Sequence, residues 1–162
     1  MLENSIGPWG KMRSMQTAEQ LHVGRRPINL GRLFWVGPLA VAAAIVAVLL
    51  VRLIAFAVWT FPADFQPLRW EALTVFTAFF VTLAVIVFAV VARRASNPDR
   101  TYRRIAFVAL VASLIPDLLL PLNAARPAPW SGVIVLMVTH VAAWWPTVEI
   151  LTKLGLSDRS TA

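Results

Sequence analysis

Apolar positions along this chain fall in four long blocks rather than in short periodic patches. The first begins at Leu33, runs without a charge to Val51 and continues past Arg52 to Trp59; the others cover about 72–92, 105–122 and 131–154. A helix needs about 20 predominantly apolar residues to cross a hydrocarbon core ~30 Å thick. The pattern therefore predicts an all-α fold, an integral membrane bundle of four transmembrane helices within residues 33–154. The first block is longer than a crossing requires, which puts Arg52 near one edge of the hydrocarbon with its guanidinium snorkelling outward. Residues 1–32, interrupted by Gly7, Pro8, Gly10, Gly24 and Pro27, are expected to be a mobile or interfacial cytoplasmic segment, and residues 155–162 a short cytoplasmic tail.

Charge supplies the orientation. The N-terminal segment holds five basic residues, and the connection after the second block holds Arg93, Arg94, Arg100, Arg103 and Arg104. The tail adds Lys153 and Arg159, whereas the two opposite connections hold only Arg69 and Arg126. Short loops rich in Lys and Arg stay in the cytoplasm, so both termini are expected there. Trp59, Trp70 and Trp130 should mark the outer boundary and Trp35 the inner one.

Composition agrees with lipid as the solvent. The chain is 59% hydrophobic and 14% charged, against about 25% charged in ordinary soluble domains. A net charge of +7 would point to nucleic acid in a soluble protein. Here the basic residues flank apolar blocks, so the expected partner is a bilayer with anionic headgroups and no nucleic acid. The absence of cysteine excludes disulfides, thiolate nucleophiles and CxxC redox chemistry. The small residues at Ala55 and Ala57 resemble a leader-peptidase site, but the apolar run exceeds the ~7–15 residues of a signal core, so the first span is expected to stay uncleaved.

Candidate chemistry lies in the few polar residues inside the blocks. Asp117 is about twelve residues above the basic edge of the third span, or ~18 Å, and His140 about nine residues below the opposite edge of the fourth, or ~14 Å. The two are thus expected to meet near the bilayer midplane, with Ser113 one turn before the acid and Trp144 one turn after the imidazole. Gly37, Ala40, Ala44 and Ala47 form a smooth face on the first span, and Ala109, Ser113 and Asp117 a second such face on the third. Pro116 and Pro146 free the carbonyls of Ala112 and Ala142, for which Ser113, Thr139 and Thr147 are candidate partners.

The Asp117–His140 pair has two readings, an interhelical hydrogen bond that fixes packing or a ligand-binding or proton-handling site. His140 is also the one candidate metal ligand, as an axial ligand to haem or chlorophyll. No cofactor is expected, because a single histidine lacks metal-ligand spacing. Interfacial ion pairs are expected for Glu149 with Arg103 or Arg104 at the inner face, and for Arg52 and Glu71 at the outer face.

No GxSxG, HExxH, P-loop or dinucleotide fingerprint occurs, no catalytic residue is assigned, and no internal repeat of the transporter kind is present. The expected function is that of a non-enzymatic scaffold, accessory subunit or binding protein, working with other membrane subunits or a second copy. The alternative is a proton-coupled small-molecule transporter or intramembrane enzyme using Asp117 and His140.

The stretches "RLFWVGPLAVAAAIVAVLLVRLIA", "LVASLIPDLLL" and "VTHVAAWWPTVEIL" resemble a family of uncharacterised four-span bacterial integral membrane proteins, grouped as a domain of unknown function, over residues 31–154. In that family a histidine in the last span is followed by small residues and a proline. His140, Ala142, Ala143 and Pro146 stand in that order, with Trp144 and Trp145 where smaller residues are usual. The resemblance implies four helices and no activity; the location expected for such a chain is the bacterial cytoplasmic (inner) membrane.

Overall fold

A computed structural model describes residues 30–61, 66–123 and 128–156. The expectations for residues 1–29 of the N-terminal segment, for Arg126 and for Arg159 in the tail lie outside these residues, whereas Leu30, Gly31 and Arg32, expected to precede the first span, form its first turn. Four helices account for nearly everything described: α1 (Leu30–Val58), α2 (Trp70–Arg94), α3 (Pro98–Leu119) and α4 (Trp130–Leu154), with 3-10 turns at Gln66–Leu68 and Leu120–Leu122. No strand occurs among the described residues. All four helices are long and apolar enough to cross a membrane, α3 together with the turn that follows it.

The surface gives the solvent away. Phe34, Leu53, Val75, Phe76, Phe79, Phe80 and Val108 are all more than half exposed, and comparable apolar side chains cover every helix. Soluble monomers rarely expose contiguous apolar patches beyond a few hundred Å². In hydrocarbon the same surface is ordinary, and helices are suited to it because they satisfy their backbone groups internally. The fold is that of a multi-pass membrane protein.

The helices pack in a ring, α1 on α2, α2 on α3, α3 on α4 and α4 on α1, with α2 and α4 also touching across the middle. The α1–α4 seam is the most extensive. The buried stripe of α1, Val36, Ala40, Ala44 and Val48, belongs to clusters with residues of both α2 and α4, its small side chains let the helices approach closely, and Gly37 is buried against Val85 of α2. Without a hydrophobic drive between helices in lipid, this dispersion contact carries much of the association.

Helix α3 is the least embedded. Only Pro98, Tyr102 and Asp117 are buried along it. It starts at Pro98, a residue suited to the first helical position, so Arg100, Arg103 and Arg104 lie on helical turns rather than in a loop, and only Ala95–Asn97 separates α2 from α3. The expected small-residue face is interrupted. Ser113 is half-buried and Asp117 buried, but Ala109 is exposed, because the neighbouring helices close on α3 at Tyr102 and at Asp117 and nothing covers the short side chain between them.

Candidate functional site

Three anchor points hold α3 to the bundle. At the basic end the Tyr102 ring meets Phe88 of α2 edge to face, with centroids 5.0 Å apart and planes at 81°. Beside it Arg103 donates from Nε to Asp99 Oδ1 (3.1 Å), from one terminal nitrogen to Glu149 Oε1 (2.9 Å) and from the other to Thr152 Oγ1 (2.8 Å). Glu149 also pairs with Lys153 at 2.5 Å. The planar guanidinium suits this role because it presents several donors in a fixed fork. Arg104 is exposed and makes no ion pair among the described residues, so of the expected inner-face cations it is Arg103 that meets Glu149.

The third anchor is the acid. Asp117 is 8% exposed, and its Oδ2 lies 3.1 Å from Nδ1 of His140 on α4. The same nitrogen lies 2.9 Å from the Leu136 carbonyl, one turn earlier on its own helix. A carbonyl only accepts, so Nδ1 must carry the proton for that bond to exist. One N–H therefore faces two acceptors. It is aimed at Leu136, and Asp117 Oδ2, though close, is left without a hydrogen bond of good geometry. With Nδ1 as donor, Nε2 of a neutral ring carries the lone pair, and the His140 side chain is about a third exposed, 35%.

Trp144 lies one turn along from His140 and is half-buried, with its indole N–H buried and unpartnered. Ser113 is half-buried one turn before Asp117, but its hydroxyl donates to the Leu110 carbonyl at 2.7 Å. Thr139 and Thr147 likewise donate to Leu136 and Ala143, both at 2.7 Å. None of the three serves the carbonyls freed by Pro116 and Pro146. The reason is geometric: a helical Ser or Thr reaches only the carbonyl three or four residues before it, which excludes Ala112 for Ser113 and Ala142 for either threonine.

At the opposite end Arg52 and Glu71 do not pair with each other. Arg52 donates from Nε to the Leu68 carbonyl at 2.9 Å and lies over the Phe56 ring, 4.4 Å from its centroid. Glu71 pairs with Arg69 at 3.3 Å. The Gln66–Leu68 turn, anchored by the buried Leu68, brings a bare carbonyl to α1, and that acceptor takes the guanidinium. The carbonyl contact, and the roles of Asp99, Thr152 and Lys153, go beyond what the sequence pattern predicts. Only the three- and four-residue spacings from Arg103 to Asp99 and from Glu149 to Thr152 and Lys153 signal the latter.

Among the described residues no three His, Asp or Glu side chains gather where a metal could bind. The polar interior is thus one acid and one imidazole between two helices, with an unpartnered indole nearby on the second. Four apolar helices, two of them meeting at such a pair, define a four-span membrane bundle. Residues 28–152 match the profile of a family of unknown function, DUF6069, and the chain belongs to that family. No curated protein and no solved structure matches it.

Proposed function

We propose that this chain is a non-enzymatic subunit of a membrane assembly, an accessory or scaffolding partner whose Asp117–His140 contact holds α3 against α4. The observation that carries the reading is the economy of the interior: the pair is 3.1 Å apart, and among the described residues no third acid, imidazole or cation joins it. A catalytic or transport site needs several convergent groups in defined roles. The apolar surface and the lightly embedded α3 leave area for another membrane protein or a second copy of the chain. The proposed location is the bacterial cytoplasmic membrane with both ends of the chain inside, supported by the basic residues gathered at the end where α2 meets α3.

A second reading, a proton-handling or ligand-binding site, is favoured by one observation. Asp117 Oδ2, despite its approach to His140, and Trp144 Nε1 are buried without a hydrogen bond, and such groups can take a bridging water or ligand. A flat cofactor such as haem or chlorophyll on Nε2 of His140 belongs to this reading; the engaged Nδ1 would orient the ring for it.

One experiment separates the two. The full chain is isolated from native membranes in mild detergent, its companions are identified, and it is then reconstituted into liposomes under a pH gradient. The subunit reading expects a stoichiometric membrane-protein companion, no visible absorbance and no proton flux. Flux above protein-free liposomes that disappears in both Asp117→Asn and His140→Ala would overturn it in favour of the second reading.

A further inference from the structure

The two ends of the bundle differ in charge. Among the described residues the end where α2 meets α3 carries seven basic and two acidic side chains, and the other end two and one. Both acids at the basic end are already spent: Asp99 and Glu149 are bound by Arg103, and Glu149 also by Lys153. Apart from Arg32 at the start of α1, that leaves Arg93 and Arg94 on the last turn of α2 and Arg100 and Arg104 on the first turns of α3. All four are exposed and without an ion pair among the described residues. The connection between them is only Ala95–Asn97, so the four guanidinium groups rise from adjoining helix ends.

Two further features converge there. Asn97 occupies the N-cap position of α3 but its side chain does not cap the helix, and it is exposed together with Ser96, so an amide and a hydroxyl stand free beside the arginines. Two helix-terminal amides, those of Asp99 and Arg100, also point to this place, since Pro98 has no N–H and the intrahelical pattern begins only with Thr101 donating to Asn97. Helix-terminal amides together with guanidinium groups form an environment for phosphate oxygens.

We propose that the α2–α3 junction is a binding site for the phosphate headgroup of an anionic phospholipid, with Arg93, Arg94, Arg100 and Arg104 as the cationic wall and Ser96 and Asn97 as neutral donors. Lipid rather than a soluble anion is the occupant because the site sits at the end of two membrane-spanning helices whose next outward-facing residues, Val90, Ile105, Phe107 and Val108, are exposed and apolar. A phospholipid satisfies both surfaces at once, headgroup on the arginines and acyl chains on the helix faces. Arg103 is excluded from the wall by its three hydrogen bonds, which keep the junction rigid without neutralising it.

Native mass spectrometry of the full chain tests this, with phosphatidylglycerol, phosphatidylcholine and inorganic phosphate titrated separately. The parent should retain phosphatidylglycerol in preference to phosphatidylcholine. Each arginine neutralised should weaken that binding about fivefold, so Arg93→Gln with Arg94→Gln, and separately Arg100→Gln with Arg104→Gln, each lose it about 25-fold. Arg69→Gln at the opposite end should leave it unchanged, and the unfolding midpoint of each variant should match the parent. Equal retention in both double variants, or an equal loss in Arg69→Gln, would refute the site. Inorganic phosphate binding as tightly as phosphatidylglycerol with the same arginine dependence would overturn the lipid assignment.

Discussion

Replacing Gly155 by alanine probes the packing at the basic end with a single carbon. Gly155 follows α4 with φ of −78°, a backbone open to any residue, so its glycine is required by space and not by conformation. A Cβ built there would lie 2.6 Å from Cε1 and 3.0 Å from Cζ of Phe88, and would also press on the Leu151 carbonyl. Ordinary carbon–carbon contact begins near ~3.5 Å, so the ring would have to retreat by about 1 Å. It has nowhere to go: Phe88 is 0% exposed and sits edge-on to Tyr102, itself 2% exposed. Overpacking of this kind costs about 1–3 kcal/mol, and a loss of about 2 kcal/mol lowers the folded-to-unfolded ratio roughly 30-fold. Equilibrium unfolding of the purified chain in mixed micelles reads the change. Phe88→Leu removes the ring edge, so Gly155→Ala should cost clearly less in that background than in the parent. An unchanged midpoint for Gly155→Ala, or the same penalty with and without the ring, would refute the reasoning.

Gly37→Ala is expected to behave differently, because the new carbon would lie 3.2 Å from Val85 Cγ1 and the helix gains up to about 1 kcal/mol from alanine; a loss of about 2 kcal/mol in the same unfolding assay would contradict this. Arg103→Ala should release the start of α3 from α4 and speed amide hydrogen exchange around Tyr102, and Arg103→Lys should not restore protection, since an ammonium lacks the planar fork that meets Asp99, Glu149 and Thr152 together. The chain has no cysteine, so Ser96→Cys and Gln66→Cys introduce single thiols at opposite ends. In intact cells a membrane-impermeant maleimide should label Gln66→Cys and spare Ser96→Cys, and the reverse pattern would invert the proposed orientation.

Much of the architecture was legible because lipid imposes a coarse rule. Block length alone decides that a segment is long enough to span, and the level meeting of Asp117 with His140 follows from a fixed rise per residue. Geometry within a helix was harder to read. Ala109 shares a face with Ser113 and Asp117 by spacing, yet it is exposed, since the reach of neighbouring helices and not periodicity decides burial. The hydroxyls of Ser113, Thr139 and Thr147 bond carbonyls three or four residues back rather than those freed by the prolines, because back-bonding distance fixes their reach. Arg52 escaped for another reason. Its acceptor is a backbone carbonyl presented by a turn, and no side-chain pattern announces a bare carbonyl.

The central claim is that α3 is tied to α4 through Asp117 and His140, and a double-mutant cycle in a bilayer tests it most directly. Asp117→Asn, His140→Ala and the double variant are compared by reversible unfolding in lipid bicelles. Interhelical hydrogen bonds in membranes average about 0.6 kcal/mol; this contact is 3.1 Å long with its donor aimed at Leu136, so a favourable coupling of about that size or less is expected. Losses that simply add, with no coupling between the two positions, would contradict the account.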